Sequence, residues 1–341
     1  MNTAPVDKFE TRRRWGLAGL AAATAAVGLT SLAVGAVDVS AADVTAVLAG
    51  KIGIFWPAPA PDLAESVVWG LRMPRLLIGL AVGGALAATG MTLQGVLRND
   101  LADPHLLGVG PGAAIGAAIG AGSGGVQGAI AGGVVAGVLT SFALRRLART
   151  AGADPNRLIL SGVALGAALS AWVGFVVFGS DRSVVPPIEF WLLGSLSGAT
   201  WRGLGTAVVF LVAGVGGIRI MARTLDLLRI GHQEATHIGL DVPLATTIAL
   251  LVVGVTVGAT VGVAGVVVFV GLLVPRLVRP LTGPHHRHLL ASSLLGGGLF
   301  VVASDLVARL ALEPVEIPVG LVTSVVGGPV FLWLVSRQRD V

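Results

Sequence analysis

Apolar runs long enough to cross a bilayer recur from Trp15 to the C-terminal region, separated by short polar stretches. A hydrocarbon core about 30 Å thick takes roughly 20 residues of helix. Inside it, only helices or closed barrels satisfy every backbone polar group. Barrel strands would read as short alternating segments, and this sequence shows none. The chain therefore reads as an all-α polytopic membrane protein. Its charged fraction of 12% is about half that of a soluble domain. The 50 glycines suit helices packed closely through small residues. With no cysteine, disulfides, thiolate metal sites and redox pairs are excluded.

About ten spans are expected: 15–37, 73–97, 105–122, 126–144, 158–179, 203–221, 243–263, 265–280, 289–308 and 317–335. The third and eighth are short and rich in glycine or proline, which suits broken or partial crossings. Residues 1–14 form a polar tail ending in Arg12-Arg13-Arg14, and 15–341 a single membrane domain. A cleaved signal peptide is the competing reading of this N-terminus, since Ser40-Ala41-Ala42 offers small residues; a retained first span is simpler. Between Asp38 and Trp69 lies an interfacial loop containing FWPAPAPD. An inside N-terminus puts 17 of the 23 Lys and Arg on the inner side and 6 outside. That bias favours this orientation with an even number of spans, so both termini are expected in the cytoplasm. The net charge of +5 thus follows from topology and needs no nucleic acid.

One polar island, Leu225 to Asp241 (LDLLRIGHQEATHIGLD), falls between two apolar runs on the inner side. Leu225, Leu228 and Ile230 can share one helical side, as can Ala235 and Ile238, while Gly231 and Gly239 are placed to end helices. Two short amphipathic helices joined by a turn are expected, lying on lipid or docked onto a partner. The nearby arginines are offset by Asp226, Glu234 and Asp241, so anionic lipid would hold the island weakly and a protein partner fits better.

The chain carries no motive chemistry of its own. A phosphate-binding loop needs Lys followed by Ser or Thr after glycines, and the only lysines are Lys8 and Lys51. Asp and Glu are absent from 66–99, 104–153, 190–225, 242–304 and 317–339, which argues against an ion- or proton-coupled carrier, the main alternative. Pro284-His285-His286-Arg287-His288 lacks a carboxylate or thiolate and reads as a solvated loop, not a metal site. His232 and His237 read as surface residues of the island. No embedded catalytic set suggests an enzyme.

Several ordered motifs carry a resemblance. Leu71-Arg72-Met73-Pro74-Arg75, Gly90, Gln94, Arg98-Asn99, Leu101-Ala102-Asp103-Pro104 and Leu107-Gly108 resemble the signature of the iron-siderophore and vitamin B12 permeases of ABC importers, the FecCD family. WLLGSLSGATW from Trp191 to Trp201, Phe269-Val270-Gly271-Leu272 with Pro275 and Arg279, Ser304-Asp305 with Arg309, and Glu316-Ile317-Pro318-Val319-Gly320 with Thr323, Gly327, Pro329 and Phe331 resemble it too. The likeness runs from about residue 60 to the C-terminus.

The resemblance implies a ten-helix permease in the cytoplasmic membrane of a bacterium, with no cofactor. It would pair with a second permease subunit, identical or paralogous, with cytoplasmic ABC ATPases inside and a substrate-binding protein outside. The island, with Leu225, Leu228, Arg229, Gly231, Glu234, Ile238 and Gly239, corresponds to the family's ATPase-coupling helices. Arg72, Arg75 and Arg309 match outer arginines that meet acidic residues of the binding protein. Arg72 and Arg75 lie three apart at an outer helix end, where exposed guanidinium groups suit carboxylates; snorkelling at the interface is the alternative. Asp154, Asn156, Ser161, Gly162 and Gly166 match a pathway-lining helix and its gate, although small residues also serve packing. Two departures stand out: Asn99-Asp100 where the family has Asn-Pro, and Pro275-Arg276 where it has Pro-His. The expected function is transport of an iron-siderophore complex by alternating access, with vitamin B12 or haem as alternative cargo and hydrolysis in a partner subunit.

Overall fold

The computed structural model of the chain describes residues 4–54, 61–150, 155–179, 192–312 and 315–336, and every regular element among them is helical. In order these are α1 (Ala4–Ala33), α2 (Ala41–Lys51), α3 (Asp62–Leu97), α4 (Val109–Thr150), α5 (Pro155–Gly179), α6 (Trp201–Ile230), α7 (His232–His237), α8 (Val242–Ala264), α9 (Val270–Thr282), α10 (His286–Leu310) and α11 (Val319–Ser336). Seven of them, α1, α3, α4, α5, α6, α8 and α10, are long and apolar enough to cross a membrane. Helix α1 already begins at Ala4, so the polar residues from there to Arg14 are helical.

Helix α3 is the axis, buried along almost its whole length from Pro74 to Leu97 and packed on α6, α8, α9 and α10. In lipid no hydrophobic force drives helix onto helix, so close backbone approach and dispersion contacts must hold the bundle. The glycines supply that approach. Gly83 of α3 lies against Gly297 of α10, and Gly90 against Gly271 of α9; a Cβ at either α3 position would overlap the facing carbonyl. Gly133 and Gly137 of α4 meet Gly258 and Gly254 of α8 in the same way.

Helix α4 is a hairpin. Gly124 and Gly125 leave helical geometry, Gly125 at φ +57°, and the two arms then run back along each other with Gly116 opposite Gly132 and Gly120 opposite Gly128. The expected spans 105–122 and 126–144 are these two arms, and the first starts later, at Val109. Before it, Asn99 Oδ1 accepts from Leu101 N (2.8 Å) and Asp103 Oδ1 from His105 N (2.8 Å), which folds residues 99–108 into turns. Helix α9, the expected partial eighth span, has only 13 residues, about 20 Å of rise. The irregular stretch ahead of it, Gly265 to Phe269, is packed against Gly194, Ser195 and Gly320, with Ser195 N donating to Ala264 O (2.8 Å). Non-helical backbone at membrane depth is tolerated where protein buries it like this.

Candidate functional site at the two ends of the bundle

At one end sits the island. Helix α6 runs unbroken to Ile230, so the first of the two expected short helices is the last turns of a 30-residue helix. The reason lies in Leu225 and Leu228: they extend the same buried face that Ile218 and Met221 present to the core, and nothing interrupts it before Gly231. Gly231 (φ +149°) ends α6, and Gly239 (φ +90°) follows the short α7, as their spacing suggested. Asp241 then caps α8, accepting from Leu244 N (2.9 Å).

The inner side of the island is bonded to the bundle at three points. His232 Nε2 donates to Val96 O of α3 (3.0 Å). Arg229 Nη1 donates to Pro284 O (2.7 Å), and Asp226 Oδ1 accepts from both the backbone N (2.9 Å) and Nδ1 (2.7 Å) of His286 at the start of α10. A carboxylate only accepts, so Nδ1 of His286 carries the proton. Two sequence expectations are corrected here. His286 is buried (2%) rather than solvated, and His232 is half-buried and tied to α3 rather than a surface residue. The outward side, with Gln233, Glu234, Thr236, His237, Ile238 and Gly239, is exposed, Ile238 at 62%. In sequence Asp226 has only the part of a counter-charge and His286 only that of a loop residue, and nothing pairs them; an isolated acid beside Leu225 on a buried helical face was the available signal.

The two departures from the family pattern acquire partners at this end. Asp100 pairs with Arg279 (3.0 Å), and Arg276 donates to Leu334 O (3.3 Å) in the last turn of α11, where helix carbonyls have no intrahelical donor.

At the opposite end the three arginines converge on the chain itself. A π-helical segment, Ser66–Arg72, turns Arg72 inward, where Nη1 donates to Leu32 O and Ala33 O (both 2.7 Å) and Nη2 to Val37 O. Arg309 donates through Nη2 to Ser31 O (3.2 Å) and Ser31 Oγ (2.7 Å). Both therefore serve the orphan carbonyls at the C-terminus of α1, where cations also oppose the helix dipole. Arg75 donates from Nε and Nη2 to Asp305 Oδ1 (3.0 and 2.9 Å) and from Nη1 to Glu316 (2.9 Å). The expectation of exposed guanidinium groups at Arg72 and Arg75 is thus corrected: Arg72 is 7% exposed and the Arg75 side chain 13%, and Arg309 is buried as well.

Of the residues expected along a pathway, Asp154 lies outside the described residues. Gly162 and Gly166 of α5 are buried against Leu107 and Gly108, so they serve packing within the subunit. Ser161 is half-buried and Asn156 exposed, on a helix that also presents Leu160, Val163, Trp172 and Phe175 to the surroundings.

An all-helical membrane bundle with an anchored, outward-facing short helix at one end has a direct counterpart among known families. The FecCD transport family matches residues 23–337, and the chain belongs to it: it is a permease subunit of an ABC importer, a multi-pass protein of the cytoplasmic membrane whose ATP hydrolysis resides in a separate subunit. Among its relatives, the cobalamin import system permease protein BtuC of Halobacterium salinarum is 38% identical over 85% of this chain and 81% of its own length. The Fe(3+) dicitrate transport system permease protein FecD of Escherichia coli is 37% identical over 85% and 93%. A solved structure described as an inward-facing conformation of a metal-chelate type ABC transporter superposes with a TM-score of 0.81 at 29% identity, covering 94% of this chain and 98% of that one.

Proposed function

We propose that this subunit carries an iron chelate of the siderophore class through the membrane by alternating access, with cobalamin and haem as the competing cargoes. The two relatives and the solved structure described above share one chemistry by name, a metal ion wrapped in an organic ligand. Ten crossings with both termini in the cytoplasm are supported by counting the two arms of α4 together with α9 and α11. The exposed apolar side of α5 is suited to face a second permease subunit across the pathway, with Asn156 and Ser161 near its cytoplasmic end.

The observation that carries the mechanism is the anchoring of α7. Its exposed face would enter a cleft on the ATPase, while its own bond from His232 to Val96, and the bond of Asp226 in the adjoining last turns of α6 to His286, would pass a displacement to α3 and α10, two helices already locked together. Closing the ATPases would then rock the bundle. Ile238 is the apolar anchor of that face, and burying such a side chain contributes about 2 kcal/mol. Ile238→Asp is expected to weaken ATPase association about 30-fold and to abolish ATP-driven uptake in proteoliposomes, with the permease still folded. Unchanged association and uptake would remove the coupling role.

The opposite end would receive the binding protein. Arg72 and Arg309 hold α1, so reversing their charge would disturb the fold as well as any docking. Arg75 is the clean probe, because one of its partners, Glu316, is itself 45% exposed in its side chain. A carboxylate of the binding protein would replace Glu316 at Arg75. Glu316→Gln is therefore expected to tighten capture of the loaded binding protein about 3-fold and to steepen its salt dependence. Weaker or unaltered capture would assign Arg75 to the interior alone.

A further inference from the structure

We propose that the groove between α3, α6 and α10 is a binding site for one anionic phospholipid, with an acyl chain along the helices and the phosphodiester on Arg219 and Arg287. The groove encloses about 590 Å³ and its wall is apolar, with Leu80 and Gly84 from α3, Val215 and Gly216 from α6, and Leu290 and Leu294 from α10. Among the described residues its only charged lining side chains are those of Arg219 and Arg287, both exposed, and neither has an ion-pair or hydrogen-bond partner there. Asp226, the nearest acid along α6, is committed to His286.

Length and charge together select the occupant. Along α6 the lining extends from Val208 to Arg219, a rise of about 16 Å. That is about half of a hydrocarbon core roughly 30 Å thick. The groove therefore traverses one leaflet and places both guanidinium groups at the depth of the phosphates. Arg223, exposed one turn further along α6, adds to the positive field. Guanidinium groups donate in pairs to phosphate oxygens. A zwitterionic lipid would bring its own ammonium beside them and forfeit much of that attraction, whereas a lipid with net negative charge gains from each arginine. The apolar wall requires chains as well as a phosphate, which sets a lipid apart from a free anion. The assignment to the cytoplasmic leaflet rests on the orientation proposed above; the binding itself does not depend on the cargo or on the ATPase.

The test uses the full permease–ATPase complex in nanodiscs of phosphatidylcholine with or without phosphatidylglycerol, and reads by native mass spectrometry which lipid stays bound on release. Retention of phosphatidylglycerol over phosphatidylcholine is expected, undiminished by added inorganic phosphate. Arg219→Gln with Arg287→Gln should lower that preference about 30-fold, from two arginines at about 5-fold each. Gly216→Leu separates the two halves of the site: Gly216 lines the groove and a Cβ there meets no atom within 4 Å, so the larger side chain should occupy the groove and expel both lipids. Equal retention of the two lipids by the unaltered complex would overturn the proposal. So would competition by inorganic phosphate, or cross-linking showing that a second permease subunit covers the groove. Uptake by the unaltered importer reports separately on the transport reading.

Discussion

Asp305→Ala is expected to destabilise the folded permease by about 3–5 kcal/mol, the cost of removing one partner of a buried ion pair. The carboxylate is 4% exposed and is held between Arg75, at 2.9 Å, and Arg309, at 3.3 Å. Without it two guanidinium groups face each other in a site that water barely reaches, and Arg309 can no longer be held at the carbonyls of α1 at low cost. Asp305→Asn keeps an acceptor for Arg75 but loses the charge, so it should fall between the wild type and alanine. Unfolding in detergent measures the losses. Replacing Arg75 and Asp305 together should cost less than the sum of the single changes, a coupling of about 0.5–3 kcal/mol. A loss below about 1 kcal/mol for Asp305→Ala would mean that the cluster behaves as a solvated surface pair.

Gly90→Val should prevent folding of the permease altogether. Gly90 lies where α3 touches the first turn of α9, and a Cβ there would overlap the carbonyl carbon and oxygen of Gly271, which are backbone atoms that cannot rotate away. That same carbonyl accepts from Gln94 Nε2 (3.1 Å), so pushing α9 aside also breaks the polar tie one turn further along α3. Ordinary overpacking costs 1–3 kcal/mol, and an overlap with fixed backbone exceeds it. The expected readout is loss of monodisperse protein after extraction. Gly205 of α6, where a Cβ meets nothing within 4 Å, supplies the control: Gly205→Ala should be neutral or stabilising by up to about 1 kcal/mol. A well-folded Gly90→Val protein would show that the α3–α9 contact is not needed.

Much of this was legible along the chain. The apolar lengths marked the helices, and the glycine content announced close packing of the kind seen at Gly83 and Gly90. Gly231 and Gly239 do end the helices their spacing suggested. The partial character of the 265–280 span was visible in its glycines and prolines. What misled were residues whose neighbours lie far away in sequence. A helical period cannot tell whether Leu225 begins a new helix or continues an old one. Nor does a cluster of histidines reveal that one of them, His286, is buried against an acid 60 positions earlier.

The sequence alone determined the solvent, the class and the lack of motive chemistry. Those follow from summed transfer preferences and from which side chains are present at all, and neither depends on how the helices are arranged. Tertiary structure alone decided which charged groups face outward. Arg72 looked exposed at a helix end until the π-helical turn and the carbonyls at and just beyond the end of α1 took it inside, 35 to 40 residues from the carbonyls it bonds. An arginine is stable at an interface either in water or on orphaned carbonyls, and only the position of a distant helix end selects between the two.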